Sequence, residues 1–355
     1  SMIPAMSGGA NLAVTEANAS GKYLYGTIEV VQGDSKCIDA DAAVAEGERL
    51  INDENVMAIM GPNCSGVTGA FVSNVGMPNG VVNISPSATS PALTDIDDNG
   101  YFFRTAPSDA RQGQVLADIA MSRGQSDMAV TYTNDDYGKG LADAFVTAYE
   151  AAGGTVTVIS GHENDKADYS ADVAALSAGG SATLAVLGYA DTGGKGIIAA
   201  SEDTGAFSDY VFADGMISTT TSGAVPDGSW GTLPAPSGDL AANWLSVAEA
   251  GGVDGTGAYS AESYDAMALI ILASQAAGST DRAAIQAEVM NVANAPGVQC
   301  SAGALGDCLK WISGGLVVDY VGATGVEFTA VGEGKGSYAE KEIIGGAFTT
   351  VASHQ

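Results

Sequence analysis

Short apolar runs bounded by Gly, Ser, Thr and Pro recur along the chain and alternate with stretches whose apolar residues return at helical spacing. The run from Gly9 to Asn18 reads as a helix closed by Ser20-Gly21, then a strand at Thr27 to Val31 and a helix from about Asp39 to Asn52. Strands are predicted at Val56 to Met60, Val81 to Ile84 and Tyr101 to Thr105, with a helix from Ser65 to Val75 among them. After Ala106-Pro107 the alternation restarts. Strands are expected at Met128 to Tyr132, Val156 to Ile159, Ala182 to Leu187 and Tyr210 to Phe212, with helices at Asp109 to Ser122, Tyr137 to Ala152, Asp168 to Ser177 and Gly194 to Thr204. Near-continuous apolar strands separated by helices predict parallel sheets covered on both faces, an α/β fold.

The rest of the chain is less regular. Val225 to Gly238, rich in Gly, Pro and Ser, reads as a crossing segment. Helices are expected at Tyr259 to Ala277, Asp281 to Asn291 and Leu305 to Ser313, a loop from Gly322 to Gly336, and two strand-like pieces within Glu340 to Thr350. A length of 355 residues suits two domains of ordinary size.

Charge narrows the partners. Thirteen Lys and Arg against 42 Asp and Glu give a net charge of −29, which repels nucleic acid and anionic lipid and suits a saline surrounding. No apolar run approaches the roughly 20 residues that span a bilayer. The four cysteines form no Cys-x-x-Cys, and the even count suggests disulfides in an oxidising compartment, with Cys37 near Cys64 and Cys300 near Cys308. The only histidines are His162 and His354, so neither a metal site nor a cofactor is expected. Ser1-Met2 reads as an expression remnant, so an export signal is expected to have been removed from the mature chain.

Catalytic templates fail. Gly332-x-Gly334-x-Gly336 has no helix after it, Gly193-Gly194-Lys195-Gly196 lacks the rest of a P-loop, and no Gly-x-Ser-x-Gly occurs. His162, between Gly161 and Glu163, reads as a solvated loop histidine rather than a triad member. No enzyme is expected. What remains is a set of binding groups. Two turns, Gly61-Pro62-Asn63-Cys64-Ser65-Gly66 and Ile84-Ser85-Pro86-Ser87-Ala88-Thr89-Ser90-Pro91, each follow a strand. Ser65 stands at an expected helix N-cap, where free N–H groups and the dipole favour an anion. Tyr137, Tyr189 and Asp214 each follow a strand of the second half, so all should face the crevice at the strand C-termini.

At these residues the sequence resembles the type I periplasmic solute-binding proteins of ABC importers, in particular the branched-chain amino acid (Leu/Ile/Val-binding) family. The resemblance runs through Gly9 to Val14, Ala45 to Pro62, Ile84 to Pro91, Phe103-Arg104-Thr105-Ala106, Asp136 to Gly140 and Tyr264-Asp265-Ala266. It implies two Rossmann-like lobes joined by a three-segment hinge, one of residues 1–106 with 235–335 and the other of 107–234 with 336–355. It also implies a clamp on a ligand α-carboxylate by Ser65 and Thr89 with backbone N–H groups around Ser87, Ala88 and Thr89. Asp214, Thr89 and the Ser87 carbonyl would accept an α-ammonium, and Tyr137 and Tyr189 would form the walls. The Cys37–Cys64 pair is similar to a disulfide of that family. Members open with a strand ahead of the first helix that this sequence does not show. The resemblance thus implies a monomeric periplasmic receptor that passes a small amino acid or related metabolite to a membrane permease. A ligand-sensing or regulatory domain on the same fold is the alternative. An Asp214 that faces the pocket favours a cationic amine over a purely anionic ligand.

Overall fold

The computed structural model describes residues 2–355. Its first sheet holds three parallel strands, β1 (Ala58–Met60), β2 (Val82–Ser85) and β3 (Phe102–Arg104), in that order. Helices α1 (Ile3–Ser20), α2 (Ala40–Asn52) and α3 (Ser65–Phe71) belong to this part of the chain. The wholly buried β2 and the Phe103 of β3 pack on small residues of α1, Ala13 and Ala17, and on the long aliphatic side chains of a helix far along the chain.

The second sheet is larger. Its strands are β4 (Asp127–Thr133), β5 (Thr155–His162), β6 (Thr183–Leu187), β7 (Asp209–Phe212) and β8 (Trp230–Pro234); helix α4 (Asp109–Ser122) leads from β3 into β4, and α5 (Asp136–Ala151), α6 (Ser170–Ser177), α7 (Lys195–Thr204) and the short α8 (Thr219–Ser222) connect the strands. The chain then forms α9 (Gly238–Ala250), α10 (Ser260–Ala277), α11 (Arg282–Ala293), β9 (Val298–Ser301), α12 (Leu305–Ser313) and β10 (Val318–Gly322). It returns to the large sheet as the hairpin β11 (Tyr338–Ile344) and β12 (Ala347–His354). The seven strands lie in the order β12-β11-β8-β7-β6-β4-β5, parallel from β8 to β5 and antiparallel where β11 joins β8. The strand order reverses between β4 and β6, and in a doubly wound sheet the crevice at that point takes the ligand. Tyr137 and Tyr189 come from the loops that leave those two strands.

Two glycines make this geometry possible. A Cβ at Gly138 would stand 2.2 Å from the Thr133 carbonyl oxygen, so only glycine lets α5 start tight against the end of β4 and hold Tyr137 there. A Cβ at Gly215 would stand 2.4 Å from the Gly188 oxygen and 3.0 Å from the Tyr137 hydroxyl.

Three sequence expectations are corrected. Thr27 to Val31 forms no strand: it is mostly exposed and its anchors are Asn18 Oδ1, which accepts from the Ile28 N–H at 2.8 Å, and Asn18 Nδ2, which donates to the Ile28 carbonyl at 3.0 Å. Alternation of apolar and polar residues describes a strand only where a neighbour completes the ladder, and β1 pairs with β2 alone among the described residues. The passage from Val225 to Gly238 contains the fully buried β8, whose Trp230, Thr232 and Leu233 supply strand-forming side chains inside a Gly/Pro-rich frame. His162 is buried at the end of β5, 1% exposed, with Nδ1 2.8 Å from the Thr131 hydroxyl; burial holds its pKa down to about 4, so the ring is neutral.

Candidate ligand-binding site

The two Gly/Ser/Thr turns meet at the ends of β1 and β2 and are stitched to each other by their own hydroxyls. Ser85 Oγ donates to the Pro62 carbonyl at 2.5 Å, and Ser87 Oγ donates to the Asn63 carbonyl at 2.8 Å. Ser65 Oγ accepts from the Ser90 N–H at 3.1 Å, while Ser85 Oγ accepts from the Ala88 N–H at 3.0 Å. Cys64 occupies the extended N-cap position of α3, so Ser65 is the first helical residue rather than the cap. The Cys37–Cys64 disulfide ties this turn to the loop before α2, and Cys300–Cys308 ties β9 to α12.

From behind, the buried guanidinium of Arg104 holds the second turn. It donates from Nη1 to the Ala88 carbonyl at 3.0 Å and the Ser90 carbonyl at 2.8 Å, and from Nη2 to Thr94 Oγ1 at 2.9 Å and to Glu333. Its fork therefore fixes the carbonyls that flank Thr89. Across the crevice, Ser90 Oγ donates to the Asp136 carbonyl at 3.0 Å, and the Tyr189 hydroxyl lies against the Ser65 backbone N–H. The turns thus touch the loops that leave β4 and β6.

At the floor lies Asp214, 3% exposed, just after β7. Its Oδ1 accepts from the Tyr137 hydroxyl at 2.8 Å and its Oδ2 from the Tyr259 hydroxyl at 2.6 Å. The Tyr137 ring stacks on Tyr189 with centroids 4.7 Å apart, and the Tyr137 oxygen accepts from the Gly215 N–H at 3.1 Å. Burial raises the Asp214 pKa against the pull of its phenol donors. Burial and the nearby Asp214 charge push both phenols well above their usual range, so they stay protonated and donate.

The structure thus brings Ser65, Ser87, Ala88, Thr89, Tyr137, Tyr189 and Asp214 to one crevice. It also adds residues that the sequence did not single out. Tyr259 stands before α10 with φ of +57°, a left-handed conformation unusual for a bulky side chain, and its hydroxyl bonds Asp214. Asp109, read above only as a helix start, is fully buried at the first turn of α4, and its N–H donates to the Thr89 carbonyl at 2.9 Å. Gln112, one turn on, donates from Nε2 to Thr232 Oγ1 at 3.1 Å and lies beside Asp214. Neither Tyr259 nor Asp109 carries a local motif. The only available sign was the position of Asp109 next to a predicted crossing.

Among the described residues no cluster of His, Cys, Asp and Glu could hold a metal ion, and no helix is long and apolar enough to cross a membrane. The arrangement can bind: it offers hydroxyls and backbone groups on one wall, stacked aromatic rings on the other, and buried carboxylate at the floor.

A family model described as periplasmic binding protein matches residues 1–301. An amino acid binding protein of Pseudomonas aeruginosa is 28% identical over 284 residues, 78% of this chain and 74% of that protein. The chemotactic signal transduction system substrate-binding protein BasB of Halobacterium salinarum is 27% identical over 335 residues, 89% of this chain and 77% of that protein. A solved leucine binding protein, LivK of Thermotoga maritima, superposes with a TM-score of 0.78 at 20% identity, covering 99% of this chain and 93% of that one. The two-lobed α/β fold with parallel sheets is that of these proteins, whose family consists of substrate-binding proteins and not enzymes. With the family model covering most of its length, the chain belongs to the periplasmic binding protein family and has the type I fold of its branched-chain amino acid-binding members.

Proposed function

We propose that the chain is the extracytoplasmic solute-binding component of an ABC importer, a monomer that takes a small amino acid or related amine-bearing metabolite into the interlobe cleft and hands it to a permease. The lobes would be residues 1–106 with 235–335 and residues 107–234 with 336–355. The observation that carries this reading is Asp214, a buried carboxylate gripped by Tyr137 and Tyr259 beneath the turn that holds Thr89. A buried anion of this kind is complementary to an ammonium, while the Thr89 N–H and the hydroxyls of the turn around it suit a carboxylate. Both disulfides accord with an oxidising, periplasmic setting.

Because one set of contacts lies on each side of the crevice, only a closed form can engage the whole ligand. Small-angle scattering should therefore show a smaller radius of gyration when a binding amino acid saturates the protein. An unchanged radius would argue for a rigid, preformed site.

A sensory role is the second reading, supported by the chemotactic relative from Halobacterium salinarum, which aligns over 335 residues. Deleting the gene separates the two: loss of ligand uptake with swimming responses intact supports the importer role, and the reverse supports the sensor.

A further inference from the structure

Asp109 is the most anomalous ionisable group in the crevice. It is fully buried, and the only protein donor turned to its carboxylate is the hydroxyl of Thr89, at the margin of hydrogen-bond geometry. Thr89, 1% exposed, turns its hydroxyl to that carboxylate and has no donor to its own oxygen. The pair is fixed in place by the bond from the Asp109 N–H to the Thr89 carbonyl at 2.9 Å, and by the Ser108 cap that starts α4. A buried carboxylate with free lone pairs is costly, and natural structures keep one where a donor arrives from elsewhere.

The protein supplies little to compensate it. Arg104 acts on Asp109, but both of its terminal nitrogens are occupied by Ala88, Ser90, Thr94 and Glu333. Asp214 faces Asp109 as a second negative charge, and Tyr137 and Tyr259 donate to Asp214 instead. Burial and the Asp214 charge hold the Asp109 pKa well above the usual carboxylate range.

We propose that Asp109, with the Thr89 hydroxyl, is a direct acceptor for the ligand's cationic amine, which sits between Asp109 and Asp214. The inference rests on the proposed amine-binding cleft and adds a second anchor to it. An ammonium has three N–H donors. Asp214 is already met by two phenols, so Asp109 and Thr89 provide the open acceptors that complete the shell. Two carboxylates against one cation would also make the site reject ligands that carry only a carboxylate, since these would leave both anions unpaired.

The test is calorimetric titration of wild type and Asp109→Asn with the twenty L-amino acids, with n-butylamine, and with 4-methylpentanoate, the amine-free counterpart of leucine. The best amino-acid ligand should bind Asp109→Asn about 30-fold or more weakly. Selectivity for that ligand over 4-methylpentanoate should fall by a similar factor, a change that a merely structural role would not produce. The melting temperature of the ligand-free variant should stay level or rise, because Asn keeps the shape of the side chain and carries no ionisable carboxyl in the buried site. Equal affinity of variant and wild type overturns the proposal, as does an equal loss for amine and amine-free ligands. Binding of butylamine but of no amino acid, with loss in Asp109→Asn, keeps the amine anchor while sinking the amino-acid reading. Failure of every amine to bind wild type overturns both.

Discussion

Asp214→Asn should weaken the binding of an amine-bearing ligand by about 2–5 kcal/mol, the usual cost of leaving one partner of a buried charge pair unmatched. The substitution preserves shape and keeps one oxygen for a phenol, while it removes the charge that meets the ammonium. Stability of the ligand-free protein should change little. Wild-type Asp214 is buried and faces Asp109, and burial raises its pKa, so at neutral pH the ionised carboxylate is a liability that the amide does not share. Asp214→Ala differs, because it leaves the Tyr137 and Tyr259 hydroxyls without their acceptor and should cost about 1–3 kcal/mol of stability for each. Calorimetry and denaturant melts of both variants separate these effects. If Asp214→Asn binds as tightly as wild type, Asp214 serves only to hold the two tyrosines.

The second large effect is expected at Cys37–Cys64. The bond spans a sequence separation of 27, and in the chain-entropy model a loop of that size contributes about 3–4 kcal/mol. The Cys300–Cys308 loop, with a separation of 8, contributes less. Cys37 is also joined through Cys64 to the turn that leads into Ser65, so its loss should loosen one wall of the crevice. Paired Cys37→Ser and Cys64→Ser substitution should lower both stability and ligand affinity, whereas the same change at Cys300 and Cys308 should lower stability alone. Denaturant melts and titrations on the two variants decide it. Loss of affinity in both, or in neither, would detach the first disulfide from the site.

The doubly wound core was legible because its strands are short apolar runs, and each predicted element from Asp109 to Phe212 appears within a few residues. What escaped was whatever depends on distant parts of the chain. Thr27 to Val31 has the pattern of a strand but no neighbour to complete it, and β8 hides in a passage whose Gly and Pro signal loop. The serines of the two turns looked like ligand groups, yet Ser85 and Ser87 spend their hydroxyls fastening one turn to the other. Asp265, within a stretch that carried the family resemblance, is bonded to the Tyr320 hydroxyl and to Thr324, and so fixes the turn after β10. Conversely, Asp109 resembles any acidic residue that opens a helix, and nothing local distinguishes Tyr259. Their roles arise only when α4 and α10 bring them beside Thr89 and Asp214.

The central claim is that this crevice holds a small molecule by its cationic amine. Native mass spectrometry of freshly purified protein, with the released ligand treated with an amine-reactive reagent, tests it most directly. The account predicts a single bound small molecule per chain that takes up the reagent. A bound molecule that carries a carboxylate but no amine would contradict it.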